Sequence, residues 1–349
     1  MDAIDWDVAQ WIGEMVAGKP PLAAQPSGDI AELTANFAAR VSTYSGLSAP
    51  EALPPLEVVD RPSWIAANLK NMRPVLEPLA KRGLTVTATK GMETPVARGM
   101  RAASGLLLGA QVGALAGVLS QRVLGQYDIE LLNPAPNPRL LLVAPNLAQT
   151  ARNLHVDREQ LTSWVAIHEV THAVQFSGAS WLQGHLAALM RDLLERMQVS
   201  VSAGDVLGGL RTGDMRPLVS RLRRGEVMRI TLGEARWSIV QRIQSVMSLI
   251  EGHAEHVMDV VGAELLPSLP RLREAMTKRR QGRGMPWRVL ERLMGLELKM
   301  RQYEVGRKFC DAVVEARGPE MLAHAFSAPA ALPSGPELEQ PRLWLTRVA

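Results

Sequence analysis

WVAIHEVTHAVQF, residues Trp164 to Phe176, carries two histidines four positions apart, with a glutamate directly after the first. Leu161, Trp164, Val165, His168, His172 and Gln175 recur at helical spacing, which predicts a helix over about Asp157 to Ser177. Asp157 is placed to cap it, and Gln160, three residues on, to reach back in a capping box. Both histidines therefore continue an apolar stripe, so this helix lies inside the fold.

Two histidines on one helical face can put both ring nitrogens on a single ion, and Glu169 lies beside them to act as a base. This is the H-E-x-x-H spacing of zinc hydrolases. The competing interpretation is two satisfied core histidines flanking a surface glutamate. A metal needs a third ligand, and the metzincin continuation H-x-x-G-x-x-H is absent, because "AVQFSGASW" follows His172. The remaining candidates are His185, Glu251, His253, Glu255 and His256. They are narrowed by SLIEGHAEHVMDVV, Ser248 to Val261. At helical spacing Glu251 shares a face with Met247, Ala254, Glu255 and Met258, while His253 and His256 point about 160° and 140° away. The apolar stripe of that helix runs through Val240, Met247, Ala254, Met258 and Val261, so Glu251 is the carboxylate aimed inward. A buried carboxylate is expensive unless compensated, and a zinc ion compensates it; an arginine would do so too.

Composition sets the frame. With 349 residues and 47% hydrophobic content the chain can bury a large core. Its 39 basic and 35 acidic side chains leave a net charge of only +4, too slim an excess to argue for nucleic acid. The single cysteine, Cys310, excludes an internal disulfide and a cysteine-rich metal cluster. The acidic N-terminus does not look like a signal peptide, so a cytoplasmic location is expected. The apolar stretch from Ala103 to Gly125, with Gly105, Gly109, Gly113 and Gly117 four apart, suits a transmembrane helix by pattern. The preferred reading is a buried helix of a soluble protein, whose glycines admit a neighbouring backbone.

The fold class expected is mainly α with a small β element. Helices are read over about 4–17, 28–45, 182–200, 233–266 and 287–317, besides the one holding the histidines. "SAPEALPPLEVVDRPS" from Ser48 reads as an extended connector, and "YDIELL" and "RLLLVAP" as short strands. "TKRRQGRGMP", Thr277 to Pro286, reads as a solvated basic loop. Three segments are expected: a helical N-terminal region over 1–125, a metal-site domain over 126–326, and a proline-rich tail with a short helix over 327–349.

"IEGHAEH" resembles the E-G-x-A-E signature on the second zinc helix of gluzincin metallopeptidases, although nearly eighty residues separate His172 from Glu251. More broadly, "IDWDVAQWIG", "RPSWIAANL", "LGQYDIELL", "LLLVAPNL", "WVAIHEVTHAVQF", "IEGHAEHVMD" and "MRQYEVGRKF" resemble an actinobacterial family of zincin-like, zinc-dependent metalloproteases grouped with deazaflavin coenzyme biosynthesis. The resemblance implies a zincin-like core, Zn2+ held by His168, His172 and Glu251, and Glu169 as catalytic base. Glu255 becomes an outer partner or rival ligand, and Asp259 could orient a ligand histidine. Tyr303, His253 and His256 are the candidates for stabilising an oxyanion. A peptide or protein is the expected substrate, the alternatives being a small amide, a cofactor-maturation role, or an idle zincin-like interaction protein. An extended substrate could add as a strand to the edge of "RLLLVAP".

Overall fold

The computed structural model describes residues 2–18, 30–85, 95–133, 137–196, 234–281 and 296–348. It is largely helical, with one small sheet, as the periodicity predicts. The chain divides into two compact units that interleave in sequence: 1–20, 61–122 and 191–237 form one, and 21–60, 123–190 and 238–349 the other. The consecutive segments expected from sequence, divided after 125 and 326, differ from this partition.

The first unit contains α1 (Trp6–Ala17), α3 (Arg61–Thr85) and α4 (Pro95–Ser120). The glycine series of α4 is the groove that receives α1. A Cβ on Gly117 would come 2.5 Å from the Gly13 carbonyl oxygen, and Gly109 and Gly113 lie equally tight against the backbone of Asp5 and Ala9. Small residues thus let two helical backbones touch, which increases dispersion contact between them. By length and composition Arg101–Ser120 is able to cross a membrane, yet only 28% of its apolar window is buried. The expected burial holds for the glycine face alone.

The second unit holds α2 (Ile30–Ser45), β1 (Leu56–Val59), β2 (Gly125–Asp128), β3 (Arg139–Val143), α5 (Ala144–Leu154), α6 (Arg158–Gly178) and most of α7 (Trp181–Arg196). It continues with α8 (Glu234–Leu265, from Ser238 on), α9 (Leu269–Gln281), α10 (Leu296–Arg317), α11 (Pro319–His324), α12 (Gly335–Glu339) and α13 (Pro341–Val348). The sheet order is β1-β3-β2, with β1 parallel and β2 antiparallel to β3. β3 is therefore central and hydrogen-bonded on both sides, which rules out strand addition to "RLLLVAP". The supposed connector supplies β1, which escaped a pattern reading because it is four half-buried residues flanked by prolines. "YDIELL" is a strand only as far as Asp128.

Pro145 lies in the first turn of α5, a helix whose first two residues fall in the expected strand and whose remainder is unassigned in the sequence reading. Proline is favoured in a first helical turn, where its missing N–H is not needed. α9 likewise occupies Thr277 to Gln281, the start of the basic stretch read as a loop; residues 282–286 fall outside the described residues, as do 197–200 and 287–295 of two expected helices. The terminal segment is no loose tail, since Trp344 is fully buried and its indole N–H donates to the Ala331 carbonyl.

α6 and α8 run through the middle of this unit. Nearly every residue of α6 from Leu161 to Gln175 is buried, and α8 is covered on all sides from Gly252 to Met258. Both helices carry polar side chains into the core, so each of those groups needs a partner there. Asp157 caps α6 by accepting from Gln160 N at 2.8 Å. The reciprocal half of the expected box is missing, because the Gln160 side chain accepts from Ser268 N at 2.9 Å instead.

Candidate metal centre

α6 and α8 bring His168, His172 and Glu251 together. The two Nε2 atoms are 3.2 Å apart, and Glu251 Oε2 lies 3.6 Å from His168 Nε2 and 3.8 Å from His172 Nε2. Zinc bonds of about 2.0–2.1 Å in a tetrahedron put ligand atoms roughly 3.3–3.4 Å apart. The three atoms thus already form a slightly open tetrahedral face. Two imidazoles and one carboxylate are also the donor set of catalytic zinc sites that leave a position for water. Among the described residues these three form the cluster able to hold an ion.

Charge supports the same conclusion. Burial alone would lower the His168 imidazole, but the Glu251 carboxylate 3.6 Å away and the negative fields of Glu169 and Glu255 push it up to about 9. Burial pushes the His172 imidazole down to about 4, against the pull of Glu251. Carboxylates surround the pair, and a pocket of that sign favours a cation.

Glu169 is 6% exposed. Burial raises its carboxyl to about 7; His168 and a hydrogen bond from Tyr127 N oppose the rise, and Glu251 adds to it. That hydrogen bond is 2.7 Å long and fixes Glu169 Oε2 on β2. Gly125 makes the approach feasible, since a Cβ there would stand 2.8 Å from Glu169 Oε1 and 2.6 Å from Val165. The Tyr127 ring packs on Phe176 at 5.5 Å, one turn beyond His172, and burial pushes its phenol to about 12.

A second set of contacts, invisible in the motif, surrounds the ligands. Gln175 Oε1 lies 2.8 Å from His172 Nδ1, while Gln175 Nε2 donates to the Ile250 carbonyl and to His253 Nδ1, each at 2.8 Å. Its place one turn after His172 on the same stripe was the available signal. His253 is 1% exposed, packs edge-on against Phe326, and is driven down to about 3 by burial with help from His256 and His172. His256 is held between Tyr44 Oη at 2.7 Å and Asp311 Oδ1 at 2.6 Å. His253 Nδ1 and both ring nitrogens of His256 are thus engaged with groups other than the His168, His172 and Glu251 cluster.

Asp259 orients no histidine. It faces Arg307 at 2.7 Å and Arg273 at 3.0 Å, in ion pairs too oblique to give its Oδ2 a hydrogen bond. His185 sits against Trp181 on α7. Glu255 is buried and acts on His168 through space, without joining the ligand triangle. Tyr303 lies in α10, and its side chain is outside the described residues.

The glycines of the two α8 and α10 motifs explain each other. A Cβ on Gly252 would come 2.5 Å from Arg307 N and 2.6 Å from the Gly306 oxygen. "IEGHAEH" and "YEVGRKF" are thus the two sides of one helix crossing, at the residue next to Glu251.

The comparisons agree with this geometry. A family model described as zincin-like metallopeptidase matches residues 4–345. A crystal structure of a candidate hydrolase with a novel fold, from Chloroflexus aurantiacus, is similar over 99% of this chain and 98% of its own, at 29% identity and a TM-score of 0.69. No curated protein matches. The family match spans nearly the whole chain and takes in both α6 and α8, so the chain belongs to the zincin-like metallopeptidases.

Proposed function

We propose that this chain is a zinc-dependent metallopeptidase of gluzincin type, with His168, His172 and Glu251 as the ligands and Glu169 as the general base. The observation that carries the reading is the tetrahedral spacing of the three donor atoms beside a buried carboxylate. When bound, zinc would polarise the scissile carbonyl and acidify a water.

The chain's own groups do the rest. Glu169 has Oε2 anchored by Tyr127 N, so the carboxylate cannot swing out of the pocket. A carboxyl titrating near 7 suits a group that takes the proton of the attacking water and passes it to the leaving amine. Tyr303, three residues before the helix crossing at Gly306, is the proposed oxyanion donor. The substrate proposed is a peptide or protein.

The test is a screen of zinc-loaded wild type and Glu169→Gln against quenched peptide libraries and small amides. Cleavage by wild type, lost in a Glu169→Gln protein that still binds zinc, is the expected result. A zinc-loaded wild type that cleaves neither class would overturn the reading.

A further inference from the structure

Gln175 is buried, polar and uncharged, and the hydrolytic scheme above gives it no task. Its contacts leave little freedom in how its amide is oriented. The Ile250 carbonyl can only accept, so the group 2.8 Å from it must be the Gln175 amide nitrogen. The second amide hydrogen is then aimed at His253 Nδ1, also 2.8 Å away. Oε1 is left facing His172 Nδ1 at 2.8 Å. A carbonyl oxygen cannot donate, so His172 must carry its proton on Nδ1 and present a bare Nε2 lone pair to Glu251 and His168.

We infer that Gln175 is a positioning residue that sets the tautomer of His172 and ties α6 to α8, so that the metal face is assembled before an ion arrives. The anchor point sharpens the argument. Ile250 immediately precedes Glu251, so one carboxamide is bonded both to the second histidine ligand and to the backbone that carries the third. The arrangement replaces the carboxylate usually found behind a ligand histidine with a neutral amide, which adds no further negative charge to a pocket already holding Glu169, Glu251 and Glu255. The inference rests on reading His172 as a zinc ligand.

The experiment uses the full chain and two variants. Gln175→Met keeps the volume and removes every hydrogen bond; Gln175→Glu keeps an acceptor for His172 Nδ1. Imidazole nitrogen NMR of the metal-free proteins reads the His172 tautomer, and competition with a zinc chelator reads affinity. Gln175→Met is expected to populate the Nε2–H form and to bind zinc about 10–100-fold more weakly. Gln175→Glu is expected to keep the Nδ1–H form but, having lost the donors to the Ile250 carbonyl and His253, to bind zinc more weakly than wild type. Should Gln175→Met fail to fold, loss of the Nδ1–H form in Gln175→Glu would still overturn the inference. An unchanged tautomer and affinity in folded Gln175→Met would overturn it as well. Because the tautomer is read without zinc, a wild type that binds no zinc would defeat the metallopeptidase reading while leaving the Gln175 assignment to be decided by NMR.

Discussion

Adding one methyl group at Gly306 tests how the third ligand is held in place. Gly306 of α10 lies on the backbone of α8, where a Cβ would come 2.7 Å from the Ser248 carbonyl carbon and 3.4 Å from Gly252 Cα. Ordinary Cβ contacts begin at 3.4 Å, and the Ser248 carbonyl oxygen lies nearer still than its carbon, so the helices must part by about 1 Å or more to admit an alanine. The obstacle is helical backbone inside the core, which cannot turn aside as a flexible side chain would. Overpacking of this kind costs about 1–3 kcal/mol, and the better helix propensity of alanine returns roughly 1 kcal/mol.

Because the obstacle is backbone, the upper end applies, and Gly306→Ala should lose about 2 kcal/mol net, a fall in Tm of roughly 3 °C for a chain of 349 residues. The displacement falls at Ser248 and Gly252, on either side of Glu251 in the chain, so zinc affinity should drop on the order of tenfold. Gly184→Ala on α7 is the matched control. Nothing lies within 4 Å of a Cβ there, so the same substitution should stabilise by up to about 1 kcal/mol. Thermal melting of the zinc-free proteins and chelator titration check both. Gly306→Ala melting at or above wild type, as Gly184→Ala should, would refute the reasoning.

Two other perturbations probe the site. Glu169→Gln keeps the Tyr127 hydrogen bond through its amide oxygen but loses the base; hydrolysis should fall by at least about 100-fold with zinc stoichiometry unchanged, and a variant retaining wild-type turnover would exclude Glu169 from proton transfer. For His253 the sign follows from a folded pKa lowered to about 3 against about 6.5 unfolded. The unfolded chain gains a proton as pH falls through 6.5 while the native imidazole stays neutral, so stability is lost between pH 6.5 and 3 at about 1.4 kcal/mol per pH unit. Urea melts of zinc-free wild type and His253→Gln at pH 7 and pH 5 should show the wild type losing on the order of 2 kcal/mol more; equal losses would mean that His253 titrates normally.

Much of the site was legible because helical geometry is a strict ruler. Counting residues alone puts His168 and His172 on one face of their helix, and Glu251 on a different face of the other helix from His253 and His256. The argument from an apolar stripe was less sound, since α8 is covered all round from Gly252 to Met258 and its two histidines are more buried than Glu251, only turned toward other partners. What escaped notice has in common that it depends on contacts distant in sequence. β1 pairs with a strand more than eighty residues away, and the Tyr127 N–H that holds Glu169 belongs to backbone, which carries no side-chain signature. Gln175 reads as one more polar residue until Ile250 and His253 are seen beside it. The glycines of α4 were recognised as a close-contact face, but the helix that fills it, α1, could not be named from spacing alone.

The central claim is that His168, His172 and Glu251 hold one zinc. Metal analysis of purified wild type beside Glu251→Ala, Glu255→Ala and His256→Ala tests it most directly. The account predicts about one zinc per chain in wild type, retained in Glu255→Ala and His256→Ala and lost in Glu251→Ala. Full zinc occupancy in Glu251→Ala would contradict it.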